Sequence, residues 1–215
     1  RFILSYCDRA LGITSAEEQP VLPKGNNLSL HLLELFTSQV AKVGMTDGIR
    51  QVLQEESDAL RAYYEQAGIL IARPAGGTSC RLAISAKGGT NAENHNHNDV
   101  GSYAVALGSE TMVGDQGGPN SYPGDYFNGD APQKYKIKGS FGHPVPVVDG
   151  RTQSSGGKAK GVVLQKEFTN EKDVFSIDYT SAYSTPNLDK LIRTFVYDRQ
   201  GKGNFTVGDE FTAKT

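Results

Sequence analysis

Val162-Val163-Leu164-Gln165-Lys166-Glu167-Phe168, Val174-Phe175-Ser176-Ile177-Asp178-Tyr179 and Leu191-Ile192-Arg193-Thr194-Phe195-Val196-Tyr197 are three short runs rich in β-branched and aromatic residues, with turn residues between them. Such side chains suit a pleated, half-buried surface, so each run reads as a strand. The pattern extends upstream through residues 69–72, 82–84, 103–107 and 112–113. Gly108-Ser109 separates two of these runs at the distance of a two-residue hairpin. Residues 69–215 are therefore expected to form an antiparallel sheet or β-sandwich. Within them, residues 154–161 are rich in small residues and are expected to be a flexible loop.

Before residue 69 the period is 3.6 rather than 2. Leu28, Leu32, Leu35, Phe36, Val40 and Val43 make one helical stripe, with His31 on its flank as a packing or surface residue. A second helix is expected to begin after Thr46 or Asp47 as N-cap. It would carry Ile49, Val52, Leu53, Leu60 and Ala67 on one face and stop at Gly68. Residues 12–27, with Pro20, Pro23 and Gly25, read as a connecting loop. The expectation is thus an α+β chain, helical over 1–68 and β over 69–215.

Composition narrows the functions available. The 215 residues hold 22 Lys and Arg against 24 Asp and Glu, a formal charge of −2, which argues against wholesale nucleic-acid binding. No apolar run approaches the roughly 20 residues of a membrane-spanning helix. Two cysteines, Cys7 and Cys80, cannot build a thiolate metal cluster or a disulfide framework. Because Arg1 opens on what reads as mid-helix sequence, the chain is expected to be a piece of a longer protein.

Three of the four histidines lie in the β half, and two of them fall in Asn94-His95-Asn96-His97-Asn98-Asp99. Polar side chains at six consecutive positions give a core nothing to bury, so the run points to chemistry. Asp115 ends the apolar stretch 112–114 and precedes Gln116-Gly117-Gly118, a carboxylate at a strand end. His143 follows Phe141-Gly142 and precedes Pro144, which reads as the start of a strand. Two imidazoles, a carboxylate and a water would complete a tetrahedral zinc site. The plain alternative for any one of these histidines is a surface or hydrogen-bonded residue.

At these residues the sequence resembles a known family. The run Asn94-His95-Asn96-His97-Asn98-Asp99-Val100-Gly101-Ser102-Tyr103, then Gly114-Asp115-Gln116-Gly117 with Tyr122, then His143-Pro144-Val145-Pro146-Val147-Val148-Asp149-Gly150 is similar to the heparinase II/III family of polysaccharide lyases. Residues 191–197 also resemble that family's β region. The resemblance implies that residues 1–68 are the tail of an α/α toroid and that 69–215 are an antiparallel β-sandwich. It implies a structural zinc held by His97, Asp115 and His143, with His95 facing the substrate. It further implies an acidic, uronate-containing polysaccharide as partner, and a periplasmic or secreted location. Other catalytic groups of the family lie on the toroid upstream, so this chain alone is expected to bind an acidic glycan without cleaving it.

Cleavage by β-elimination neutralises a uronate carboxylate, removes the C5 proton and protonates the leaving O4. His95 can donate to the carboxylate or serve as base near its unperturbed pKa of about 6.5. Asn94 can add a neutral hydrogen bond, and Tyr122 and Tyr126, in the loop 117–129, are the nearest candidates for the acid. Each also reads as an ordinary turn tyrosine. Elimination needs no metal-bound hydroxide, which favours a structural zinc; a zinc hydrolase would need one. Residues 131–165 carry six cations against Asp149 alone, a local +5. Lys134, Lys136 and Lys138 alternate with Tyr135 and Ile137, so a strand there would offer a basic face to a polyanion, or simply a guarded sheet edge. The rival from another class is a non-catalytic carbohydrate-binding or structural β module.

Overall fold

The structure is a computed structural model and describes residues 59–115, 117–119 and 121–214. The expected helices upstream of residue 59, with His31 and Cys7, lie outside those residues. Where the second helix was expected to end, the chain is instead a strand. β1 (Arg61–Tyr64) pairs antiparallel with β2 (Ile69–Ala72), Arg61 opposite Ala72 and Tyr64 opposite Ile69. Distant partners override the local spacing here. The Tyr63 ring sits 5.6 Å from that of Phe168 and 5.8 Å from that of Phe175, and Arg61 pairs with the buried Asp173 at 2.8 Å. Gly68 does stop the element, but as the corner of a hairpin. Its φ is +61°, and a Cβ there would lie 2.6 Å from the Gly89 nitrogen, so only glycine fits.

Each run read at period 2 is a strand, and three more strands, at residues 90–91, 156–160 and 204–213, lie outside that reading. The strands after β2 are β3 (Leu82–Lys87), β4 (Thr90–Asn91), β5 (Tyr103–Leu107), β6 (Glu110–Val113), β7 (Gly156–Lys160), β8 (Val162–Phe168), β9 (Lys172–Asp178), β10 (Leu188–Asp198) and β11 (Asn204–Ala213). One sheet has the order β1-β2-β3-β5-β6, a second β11-β10-β9-β8, and β4 pairs with β7. Gly108-Ser109 forms the β5–β6 turn, with Leu107 opposite Glu110.

The core lies between the two larger sheets, as in a sandwich. Leu70, Ile84 and Ala86 from the first meet Phe175, Ile177, Leu191, Phe195 and Tyr197 from the second. Alternation along β10 turns Leu191, Arg193, Phe195 and Tyr197 inward. Register then places Phe195 opposite Phe175 on β9 and Val207 on β11. The Phe195 ring lies 6.1 Å from Tyr103 of the facing sheet, and the Tyr197 hydroxyl reaches across to donate to the Leu82 carbonyl.

Two further expectations change. Residues 156–160 are strand β7 rather than a free loop, paired to β4 with Ala159 buried. The lysine stretch is not a strand: α1 (Ala131–Lys134) is followed by 3-10 turns at Lys136–Lys138 and Ser140–Gly142. Pro132 in the first turn favours the helical start. Gly139 and Gly142 then permit close approach, since a Cβ would lie 2.3 Å from the Pro132 oxygen and 2.7 Å from the Ile137 oxygen respectively.

Candidate metal centre

The loop between β4 and β5 carries both clustered histidines, and a buried polar network holds it. Contrary to the sequence reading, its later half is well suited to burial. Asn98, Asp99 and Val100 are all buried, and so are Asn91 and Gln153. Gln153 Oε1 accepts from Asn91 Nδ2 and from the Val100 backbone, both at 3.0 Å, while its Nε2 donates to the Val100 carbonyl at 2.7 Å. Asn98 Nδ2 donates to the Gln153 carbonyl and the Ser155 hydroxyl, and the Asn98 backbone to the Lys138 carbonyl at 2.7 Å. Lys87 neutralises Asp99 at 2.5 Å. Because all of these polar groups but the Asn98 side-chain oxygen find partners, burial tightens the loop instead of destabilising it.

That anchoring sorts the two histidines. Asn94 and His95 are exposed, whereas His97 is half-buried. His95 has φ +60°, a left-handed conformation uncommon for a residue with a Cβ and often found at functional positions. His97 Nδ1 faces His143 Nε2 at 3.0 Å. Asp115, just past β6, places Oδ2 3.0 Å from His143 Nδ1, and its Oδ1 accepts from the Gly117 backbone at 2.6 Å. One donor atom from each of His97, Asp115 and His143 lies within 4.8 Å of the others. His143 was expected at the start of a strand, but it follows the 3-10 turn Ser140–Gly142, which carries it into the interior.

The donor set suits a divalent ion such as zinc. His143 Nδ1 is buried and makes no aligned hydrogen bond despite the nearby carboxylate, an orphan that a cation would satisfy. The neighbouring His143 imidazole holds the Asp115 carboxyl down at about 2, helped by the Gly117 N–H. Burial, then the His143 ring, lowers the proton affinity of His97. Both shifts favour the unprotonated forms that bind metal.

Sequence reasoning passed over the residue that joins these segments. Arg193, on the inward face of β10 and 5% exposed, stands opposite Asp209 of β11 and grips it with Nε at 2.7 Å and Nη2 at 2.6 Å. Its Nη1 donates to the carbonyls of Gly101, at 2.8 Å, and Pro144, at 2.7 Å. These groups follow the His97 loop and His143, so one guanidinium pins both ligand-bearing segments. Gly101 makes the approach possible: its φ is +87°, and a Cβ would press on the Tyr179 ring at 3.2 Å. Tyr179 in turn donates to Asp209 at 3.0 Å. An Arg inside an apolar alternation was the available signal.

Around His95 the loop 117–129 supplies aromatic rings. Phe127, also missed from sequence, stacks on His95 with centroids 4.4 Å apart, and Tyr122 lies 5.1 Å from Phe127. Tyr122 is exposed, so it shares this surface with His95. Tyr126 is different: it is buried, its hydroxyl lacks a partner, and burial raises its pKa. The three lysines also separate. Lys138 is buried, donates to the Tyr126 carbonyl at 2.8 Å and lies 4.7 Å from that ring. Lys134, paired with Asp125, and Lys136 are exposed on another cleft.

No protein-family model and no curated protein matches the chain. Among solved structures, a heparan sulfate lyase HepC mutant from Pedobacter heparinus aligns at TM-score 0.62 and the unmutated enzyme at 0.61. Each match has 18% identity and covers 89% of this chain. The chain spans 28% of the length of either structure. This chain thus shares its fold with part of a heparan sulfate lyase.

Proposed function

We propose that the chain is part of a polysaccharide lyase that cleaves an acidic, uronate-containing glycan by β-elimination, in the periplasm or outside the cell. The observation that carries this reading is the division within one anchored loop: His97 turns inward to His143, while His95, two residues away, is exposed on a left-handed turn and stacks on Phe127, whose ring Tyr122 also contacts. His97, Asp115 and His143 would hold zinc, which ties three segments together and leaves the elimination itself to side chains. Asn94 and His95 face the uronate. His95, as hydrogen-bond donor or base, acts on the carboxylate or the C5 proton, and Asn94 adds a neutral donor. Tyr122 is the exposed candidate to protonate the departing O4; Tyr126 supports it from beneath. Groups outside this chain would complete the set, so this chain alone binds the glycan and leaves it uncleaved.

In the full-length protein, His95→Ala should reduce unsaturated-uronate absorbance by about 10²-fold to 10⁴-fold, the usual contribution of a general acid or base. Zinc content should stay at one per chain. Loss of zinc with His95→Ala would overturn the division between the two histidines. Glycan cleavage without an unsaturated product would replace the lyase with a zinc hydrolase.

A further inference from the structure

We propose that a second cleft, built by the turns before and after His143, is an accessory site for an anionic sugar residue. It is an open groove of about 480 Å³ that shares no lining residue with the His97, Asp115 and His143 triad. The choice of ligand rests on the lyase reading; the cleft and its charge do not.

Its floor and walls combine one flat aromatic face with cations. Phe141 lines the cleft although 66% exposed. It stays there because its neighbours are fixed inside: Ser140 is buried and its hydroxyl accepts from the Gln153 backbone at 2.9 Å, while His143 points into the interior. The tight turn at Gly142 holds Phe141 outward between those two anchors. Lys136 reaches to 5.9 Å from the Phe141 ring centre. Across the cleft, Arg151 sits on a two-residue hairpin turn at Asp149-Gly150, whose φ values are +54° and +70°, closed by reciprocal backbone bonds between Val148 and Arg151 at 2.9 and 3.0 Å.

Charge sets the ligand class. Lys134, Lys136 and Arg151 line the cleft, and no carboxylate does. Asp149, next to Gly150 in sequence, keeps its charge but is turned to the Thr185 hydroxyl and the Asn187 amide at 2.9 Å each and is not among the residues lining the cleft. Lys134 is paired with Asp125, but Lys136 and Arg151 have no ion-pair partner among the described residues. An exposed ring suits the C–H face of a pyranose. Flanking cations suit a carboxylate or sulfate on the same sugar, and Thr152 and Ser184 add hydroxyls for the ring oxygens.

The test uses the full-length protein carrying His95→Ala, so that glycan is not consumed and binding is read apart from turnover. Calorimetric titration with a heparan sulfate oligosaccharide should show binding that weakens as salt rises. Adding Phe141→Ala, or Lys136→Gln together with Arg151→Gln, should weaken it about tenfold. The melting temperature should not move, because all three side chains are on the surface. The site is refuted if the parent protein does not bind the oligosaccharide, or if both sets of changes leave affinity within about twofold. Equal competition by a neutral dextran oligosaccharide or a single-stranded oligonucleotide would also refute it as a site for anionic sugar. Failure of the lyase reading would appear separately, as cleavage by the unmutated full-length protein that yields no unsaturated uronate.

Discussion

Asp115 and His97 both resist protonation in the folded chain, and this makes the centre an acid-sensitive point of the fold. Asp115 is held at about 2, below the ordinary carboxylate value of about 3.9. Its contribution to stability is therefore present above about pH 4 and lost as pH falls toward 2. His97 is lowered from the ordinary imidazole value, so the unfolded chain takes up that proton first and stability begins to fall below about pH 6.5. Both effects have the same sign. Melts of metal-free protein between pH 7.5 and 3 should show a falling Tm in two stages, and His97→Gln should remove the upper one. A flat profile from pH 7.5 to 5 in the parent protein would show that His97 is not held neutral by its surroundings. Zinc retention should decline over the same upper range, because the imidazole must be unprotonated to bind.

Among the elements, β10 links the sandwich to the candidate centre. Arg193 and Asp209 are directly opposed on β10 and β11, and the same guanidinium holds the carbonyls of Gly101 and Pro144. Lysine can keep the charge but cannot reproduce a two-pronged grip on Asp209 together with two carbonyl bonds. Arg193→Lys is accordingly expected to weaken zinc binding by about 10-fold to 100-fold, the usual effect of losing a group that orients metal ligands. Competition with a chromophoric chelator measures it. Arg193→Met leaves the Gly101 and Pro144 carbonyls without this donor and should cost about 1–3 kcal/mol of stability, read by urea denaturation. A stability loss with zinc affinity unchanged in Arg193→Lys would make Arg193 a strut of the sheet alone. The contrast with β1 is instructive: Leu60 and Ala67 fit a helical face, yet Tyr63 and Arg61 find partners on β8 and β9, and these long-range contacts decide for strand.

At the scale of the whole molecule, the candidate ion would bridge the β4–β5 loop, the end of β6 and the turn before residue 144, three segments joined otherwise by hydrogen bonds. A ligand present at a hundredfold excess over its dissociation constant stabilises by about 2.7 kcal/mol. For a domain of this size that is a rise in Tm of about 5–10 °C. Comparing chelator-stripped with zinc-reloaded protein should show it, and His97→Ala should abolish the difference. Equal Tm values for stripped and reloaded parent protein would count against a stapling ion. The sequence by itself determined seven of the β strands, the Gly108-Ser109 hairpin and the residue types of the His97, Asp115 and His143 set, because alternation, turn chemistry and donor identity are local properties; β1, β4, β7 and β11 were not legible in it. Only the tertiary structure decided that Asn98, Asp99 and Lys138 are buried, that Arg193 pins two loops, and that Phe141 and Arg151 share a cleft. Each of those facts depends on a partner far along the chain, such as Gln153 for Asn98 or Gly101 for Arg193. A polar side chain is stable inside only where folding brings it that partner, and no spacing within a short run records whether it does.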